Sequence, residues 1–323
     1  HPPDSAMLQI PQRLQRGDTL GIAAPASAPP DPRNLDRAVA VMESLGFRVK
    51  LAPHVRARWG FLAGRDRERA ADLMRLFADR TVRAIICVRG GYGTARLLPL
   101  LDYAVIRAHP KIFVGYSDIT SLHCAFLKQA GLVSFHGPML NSDFVNADMP
   151  KFTLRSFLRL LTEPVAYGSI AQGYRRRTVQ ILRRGEATGP LVGGNLTLLC
   201  TLIGTPWQPD FRGRILFLED LGEEPYRMDR MLTYLLNAGI LQQVAGIAIG
   251  INKDCHDPKA KRMKEYRQTL EDVFRERLLP LKVPIVSGLP FGHIPHNATL
   301  PLGVQAHLDA RRGALNLVSP AVR

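Results

Sequence analysis

Apolar residues in the first half of the chain fall into short continuous runs, separated by stretches with a period of three to four. Residues 19–24 form the first run and end in Pro25-Ala26-Ser27, which predicts a strand entering a loop. Asp31 is placed to cap a helix with Pro32 as its first residue. Leu35, Val39, Met42 and Leu45 follow at helical spacing, and Gly46 stands where a C-terminal cap belongs. Residues 47–51 predict a second strand, and Ala70, Leu73, Met74 and Phe77 mark a second amphipathic helix. Residues 84–88 are apolar throughout, as suits a strand buried on both faces, and end in Arg89-Gly90-Gly91-Tyr92-Gly93. Residues 112–115 run into Tyr116-Ser117-Asp118 and then an apolar helix to Gln129. This alternation predicts a parallel sheet with helices on both faces.

The rhythm breaks over residues 146–185. A helix over 152–161 is followed by Pro164, Gly168, Gly173 and the basic groups Arg175-Arg176-Arg177 and Arg183-Arg184. We read 166–185 as a linker between an N-terminal domain (7–165) and a C-terminal one (186–323). The second half is mixed. Gly193-Gly194-Asn195 opens a helix, and residues 214–218 predict a strand ending in Glu219-Asp220. A helix over 227–237, a strand over 244–250 and a basic helix over 259–277 follow. Short strands are expected at 284–287, 303–308 and 314–318.

A length of 323 residues agrees with two domains and is ample for a buried core. The 27 glycines and 24 prolines are aperiodic, which excludes a collagen-like chain. A net charge of +15 raises the question of nucleic acid. The basic residues are dispersed, however, and no RNA-recognition motif, zinc finger or basic zipper is present, so no nucleic-acid partner is expected. An Arg-rich solvated surface that attracts small anions accounts for the charge. Cys87, Cys124, Cys200 and Cys255 are widely spaced, which argues against a disulfide framework. No apolar stretch is long enough to span a bilayer, so no membrane partner is expected. Residues 1–6 read as an expression scar before a native start at Met7, and no signal segment is visible. The expected setting is the cytoplasm.

In open parallel sheets ligands bind beyond the carboxyl ends of the strands. The Arg89–Gly93 loop falls there, and its three glycines let backbone N–H groups approach an anion. It lacks the Gly-Lys-Ser/Thr of a Walker A loop. The alternative is a tight turn needing positive φ. Ser117 at a strand-to-helix turn fits a nucleophile elbow, with the Asp118 N–H at a helix N-terminus as an oxyanion donor. Equally, a serine there can be a simple cap. A serine nucleophile needs a base and an orienting carboxylate. His293 sits in a Gly/Pro-rich loop, where catalytic bases are often found. His123 reads as a packed helix residue, and His136 as a loop hydrogen bonder. Glu219 and Asp220 end a buried strand, so one of them needs a partner. Cys255, His256, Asp257, His293 and His296 could ligate zinc, but no tight ligand spacing appears and no metal or other cofactor is expected.

Taken together, several blocks resemble the LD-carboxypeptidase family, serine peptidases that include murein tetrapeptide carboxypeptidases and microcin-C immunity proteins. They are residues 21–27, the 89–93 loop, Gly115-Tyr116-Ser117-Asp118-Ile119-Thr120, Gly193-Gly194-Asn195-Leu196, Leu218-Glu219-Asp220, residues 226–230, and Gly292-His293 with Asn297. The resemblance spans nearly the whole chain. It implies an α/β fold: a parallel Rossmann-like N-terminal sheet with helices on both faces, plus a smaller β-rich C-terminal domain. It also implies a triad of Ser117 as nucleophile, His293 as base and Glu219 as orienter. The oxyanion hole would be the N–H of Asp118 and of a loop glycine, here Gly91. Arg89 and Tyr92 are candidate substrate contacts, Arg89 because a guanidinium pairs with a terminal carboxylate. The implied substrate is a muropeptide losing its terminal D-alanine in cell-wall recycling, and the implied assembly a homodimer. Two alternatives stand beside this: hydrolysis of an acyl-nucleotide amide, as in the immunity branch, and a non-catalytic nucleotide or nucleic-acid binder. A metal-dependent amidohydrolase is a further, weaker reading.

Overall fold

The computed structural model of the chain describes residues 7–146, 148–259 and 268–323. The first half supplies β1 (Thr19–Ala23), α1 (Arg33–Ser44), β2 (Arg48–Leu51), α2 (Asp66–Ala78), β3 (Val82–Cys87), α3 (Tyr103–Ala108), β4 (Ile112–Gly115), α4 (Thr120–Ala130), β5 (Phe135–His136) and α5 (Lys151–Thr162). The second half supplies β6 (Gly168–Ser169), β7 (Gln180–Arg183), β8 (Glu186–Asn195), α6 (Leu196–Leu202), β9 (Ile215–Glu219), α7 (Pro225–Asn237), β10 (Gly246–Ile249), α8 (Leu270–Leu278), β11 (Ile285–Ser287), β12 (Leu300–Pro301), β13 (Gln305–Asp309) and β14 (Ala314–Leu317).

Two sheets organise these elements. The first has the order β12-β5-β4-β3-β1-β2, parallel except for β12. Strand order reverses at β1 and β3, so their C-terminal ends open the crevice where ligands of such sheets bind. Phe77 of α2 and Phe126 of α4 both pack on Phe113 of β4, all three rings buried. Those two helices therefore share one face of the parallel first sheet, and the chain is α/β with a second, β-rich unit. That second sheet runs β6-β14-β13-β8-β9-β10-β11-β7, with a parallel centre of β8 to β11 flanked by antiparallel strands.

The chain stitches the two units together. β12 leaves the second half and pairs with β5 of the first sheet. The loop before it is held by α5: Thr153 Oγ1 donates to the Pro295 carbonyl and accepts from the Asn297 N–H. Gly194, at φ +137°, meets the start of α4, where a Cβ would stand 2.5 Å from Thr120 Oγ1. The next amide, of Asn195, donates to that hydroxyl at 3.0 Å.

Some local expectations differ from what is found. Pro32 precedes the helix, because the Asp31 carboxylate takes the Arg33 N–H at 2.9 Å and α1 starts one residue later. The segment 166–185 contributes β6 and β7 to the edges of the second sheet. The basic helix begins at Leu270, where Thr269 and Asp272 form a reciprocal cap. The earlier part of that expected helix includes 260–267, outside the described residues, as are residues 1–6. No helix among the described residues is long and apolar enough to cross a membrane.

The Gly194 contact predicts a stability defect. Gly194→Ala should lower unfolding free energy by about 2–4 kcal/mol, from a backbone angle alanine rarely adopts plus the Thr120 clash. Urea unfolding monitored by circular dichroism measures it; an unchanged midpoint contradicts the assigned docking.

Candidate active site

β4 delivers its last residues into a sharp turn. Gly115 leaves no room for a Cβ, which would fall 2.8 Å from the Ile119 side chain. Ser117 then adopts φ +64°, a left-handed conformation that costs an L-residue about 1 kcal/mol or more. Strain of this kind persists where surrounding contacts impose it. Here they act on Asp118, whose buried carboxylate accepts the Thr94 N–H at 2.8 Å while its carbonyl accepts the Thr94 hydroxyl at 2.6 Å. Burial raises the Asp118 carboxyl above its ordinary range, partly offset by the Thr94 and Gly93 amides and by Arg69.

The glycine loop lies directly against this turn. A Cβ on Gly90 would be 3.0 Å from Ser117 Cβ, 3.3 Å from its Oγ and 3.4 Å from the Asp118 nitrogen. Ser27, from the loop after β1, clasps the other side. Its N–H donates to the Gly90 carbonyl at 3.2 Å, and its hydroxyl accepts the Tyr92 N–H at 3.1 Å. Gly91 packs on Ser27, where a Cβ would be 2.4 Å from Oγ. Arg89 spends Nη1 on the Ala28 carbonyl at 3.1 Å, bracing the same two loops. Tyr92 is half exposed, with its ring 5.6 Å from that of Phe61.

The second sheet brings Glu219 and His293 together. Every residue of β9 is buried, and Glu219 at its end is fully withdrawn from water. His293 Nδ1 donates to Glu219 Oε2 at 2.7 Å, which leaves Nε2 as the free lone pair of the neutral ring. Burial alone would lower the His293 pKa. The hydrogen bond and charge of Glu219, helped by Asp220 and Asp143, outweigh it and raise the value above the ordinary 6.5. Gly292, just before, allows the approach, since a Cβ there would crowd the Ile251 carbonyl at 2.7 Å.

The adjacent carboxylate has a different task. Asp220 accepts from Asn195 Nδ2, the Leu221 N–H, and the Thr197 N–H and hydroxyl, which fills its oxygens with structural bonds. Tyr116, the residue before Ser117, stands edge-on to the His293 imidazole with ring centroids 5.2 Å apart. The Ser117 hydroxyl makes no hydrogen bond to His293 among the described residues.

Beyond His293 lies a cavity of about 370 Å³ lined by Tyr116, Ser142, Asp143, Asn146, Asp148 and Lys253, among others. Burial pushes the Asp143 carboxyl up to about 6. Sequence reasoning missed Asp143, because it lies in an irregular turn with no pattern of its own. The other histidines are elsewhere occupied. His123 bonds Ser134 Oγ and the Gly115 carbonyl at 2.7 Å each, and burial lowers it to about 4. His136 is no loop hydrogen bonder: it lies in β5, edge-on to Phe217 and Phe291, with neither ring nitrogen partnered among the described residues. His296 packs against Phe152 and Tyr174. Among the described residues no group of three His, Cys, Asp or Glu side chains is arranged to hold a metal ion.

Comparison with known proteins adds a second line of argument. Residues 20–137 match the LD-carboxypeptidase N-terminal domain and residues 188–308 the C-terminal domain. The chain belongs to the LD-carboxypeptidase family. It is 42% identical over 299 residues to a probable murein peptide carboxypeptidase of Bacillus subtilis, covering 93% of this chain and 91% of that protein. The structure of a muramoyltetrapeptide carboxypeptidase from Oxalobacter formigenes matches with a TM-score of 0.81 and 36% identity, over 93% of this chain and 97% of that one. The microcin C7 self-immunity protein MccF, solved with aspartyl sulfamoyl adenosine, matches with a TM-score of 0.87 and 26% identity, over 98% of this chain and 100% of that one. The family makes the chain a peptidase of the carboxypeptidase kind.

The dyad geometry sets a pH dependence. If His293 serves as a general base it must be neutral to act, so kcat/KM should rise with pH through an apparent pKa above 6.5, the direction in which Glu219 moves His293. Removing the charge in Glu219→Gln should shift that limb to lower pH and cut kcat by about 10³-fold or more. A pH–rate profile of both forms checks this; an unmoved limb contradicts the pairing.

Proposed function

We propose that this family member is a serine LD-carboxypeptidase that removes terminal D-alanine from murein tetrapeptide. The observation that carries the reading is the 2.7 Å bond between His293 and the buried Glu219, with His293 edge-on to Tyr116, the residue before the strained Ser117. Ser117 Oγ attacks the carbonyl joining the L-centre of a diamino acid to D-alanine, and His293 Nε2 takes the hydroxyl proton. The C–N bond then breaks, His293 returns the proton to the leaving amine, and D-alanine departs. Water repeats the sequence on the acyl-enzyme, with His293 again as base, and releases the tripeptide acid. Glu219 holds the tautomer and stabilises the imidazolium.

Negative charge developing on the carbonyl oxygen needs donors. The Asp118 N–H at the head of α4 is one. The second is the N–H of Gly91. A trans peptide opposes its C=O and N–H, and the Gly90 carbonyl is directed at the Ser27 amide, so the Gly91 N–H faces the other way. Arg89 and Tyr92, at either end of the loop, are proposed to contact substrate. The basic surface suits an anionic muropeptide. With this reading come a homodimer and a role in cytoplasmic cell-wall recycling, and the division into units at 166–185. A second reading rests on the likeness to MccF: hydrolysis of an acyl-nucleotide amide by the same three residues.

Incubation with L-Ala-γ-D-Glu-meso-diaminopimelate-D-Ala, followed by mass spectrometry for D-alanine, tests the proposal. Release by the wild-type protein is expected, with a loss of at least about 10³-fold in Ser117→Ala. No release from tetrapeptide, together with cleavage of aspartyl sulfamoyl adenosine, would favour the second reading.

A further inference from the structure

Arg69 is a charged residue where none is expected. It sits in the first turns of α2, is 2% exposed, and follows Asp66 by three residues. Burying a guanidinium is costly unless all of its donors are satisfied. Here four of the five N–H donors have partners, spread over all three nitrogens, and the partners are informative. Nε donates to the Gly64 carbonyl at 3.2 Å. Nη1 donates both to the Pro25 carbonyl at 2.5 Å and to the Gly93 carbonyl at 3.0 Å. Nη2 donates to Asp66 Oδ1 at 2.6 Å. One planar group therefore joins three loops at the C-terminal edge of the first sheet: those after β1, β2 and β3. Asp66 in turn holds Arg96, just after the glycine loop, through both carboxylate oxygens.

The chain of contacts continues to the nucleophile. Gly93 is followed by Thr94, whose N–H and hydroxyl bind the Asp118 carboxylate and carbonyl. Gly93 can take no side chain, since a Cβ would lie 2.9 Å from Arg69 Nη1 and 2.4 Å from Leu62. The loop between Arg89 and Gly93 is thus pinned at its far end by Arg69 and Thr94, and on its flank by Ser27. What lies between those pins is Gly90, against Ser117.

We infer that Arg69 is a positioning residue for catalysis, the clamp that sets the glycine-loop amides at oxyanion distance from Ser117. It touches no reacting atom and acts through Gly93, Thr94 and Asp118. The inference rests on the proposed role of Ser117. A clamp of this kind should affect the transition state rather than ground-state binding, because misplacing a donor by about 1 Å can cost about 100-fold in rate.

The test separates positioning from simple support of the fold. Wild type, Arg69→Lys, Arg69→Met and Asp66→Ala are each reacted with an alkyl fluorophosphonate. In that reaction Ser117 Oγ bonds to phosphorus, fluoride leaves, and the hydroxyl proton passes to His293. Intact mass gives both the rate of labelling and the final labelled fraction. The expected result is a full labelled fraction with a rate lowered by about 100-fold in Arg69→Met and about 10-fold in Arg69→Lys. In D-alanine release the same variants should lose kcat with KM little changed. Asp66→Ala, at a partly exposed site, leaves Arg69 in place but unanchored, and should show a smaller loss of the same kind even if Arg69→Met does not fold. Overturning results are a wild-type rate with a reduced labelled fraction, which marks a structural role only, or a loss confined to KM. Wild type that labels at Ser117 yet releases no D-alanine overturns the substrate reading and leaves the clamp to be judged by the labelling rates. Wild type that does not label at Ser117 overturns both.

Discussion

A carboxylate withdrawn from water must be paired, and the molecule is arranged around one such pair. Glu219 closes a strand buried along its length, and His293 is its hydrogen-bond partner among the described residues. Breaking a buried pair of this kind leaves a charge uncompensated, which typically costs about 3–5 kcal/mol. The fold therefore has a strong reason to keep His293 in place. It does so with a loop that is pinned to α5 through Thr153 and Asn297 and continues into β12 of the other sheet. The same pairing fixes the imidazole tautomer and raises its basicity, so the structural requirement and the chemical one coincide.

Ser117, the proposed nucleophile, comes from the opposite side. The first sheet reverses strand order at β1 and β3, and the loops leaving those strands are laced together by Ser27, Arg89 and Arg69. Against that assembly β4 presents Ser117 in a left-handed conformation. Two sheets thus each bring part of the candidate site, and their seam runs between Thr120 and Asn195, one turn from Ser117. Folding and activity should show little independence at this seam, since the contacts that dock the units would also aim the proposed catalytic groups.

How much of this was legible in the sequence varies with the physics involved. The first sheet was readable because buried parallel strands are continuous apolar runs with helical periods between them. β8 was not, although it lies at the centre of the second sheet, because Thr188-Gly189-Pro190 and Gly193-Gly194 carry little strand propensity. Those glycines are set by neighbours far along the chain, Gly213, Phe217 and Thr120. The apolar run into Glu219-Asp220 does not by itself distinguish the two carboxylates; the register that places Asn195 beside Glu219 gives one to the histidine and the other to Thr197. Nothing local to Arg69 in the sequence shows that three loop carbonyls converge on it. The family resemblance implies Ser117, Glu219 and His293 as the residues of the chemistry but not what holds them.

The central claim is that Ser117, Glu219 and His293 act as one unit across the two sheets. The most direct measurement is a crystal structure of the protein after phosphonylation by an alkyl fluorophosphonate. The account predicts phosphorus on Ser117 Oγ, the phosphoryl oxygen within hydrogen-bond distance of the Asp118 amide and a glycine-loop amide, and His293 Nε2 facing Ser117 with Nδ1 still on Glu219. Phosphorus on another residue, or an imidazole turned away from Ser117, would contradict it.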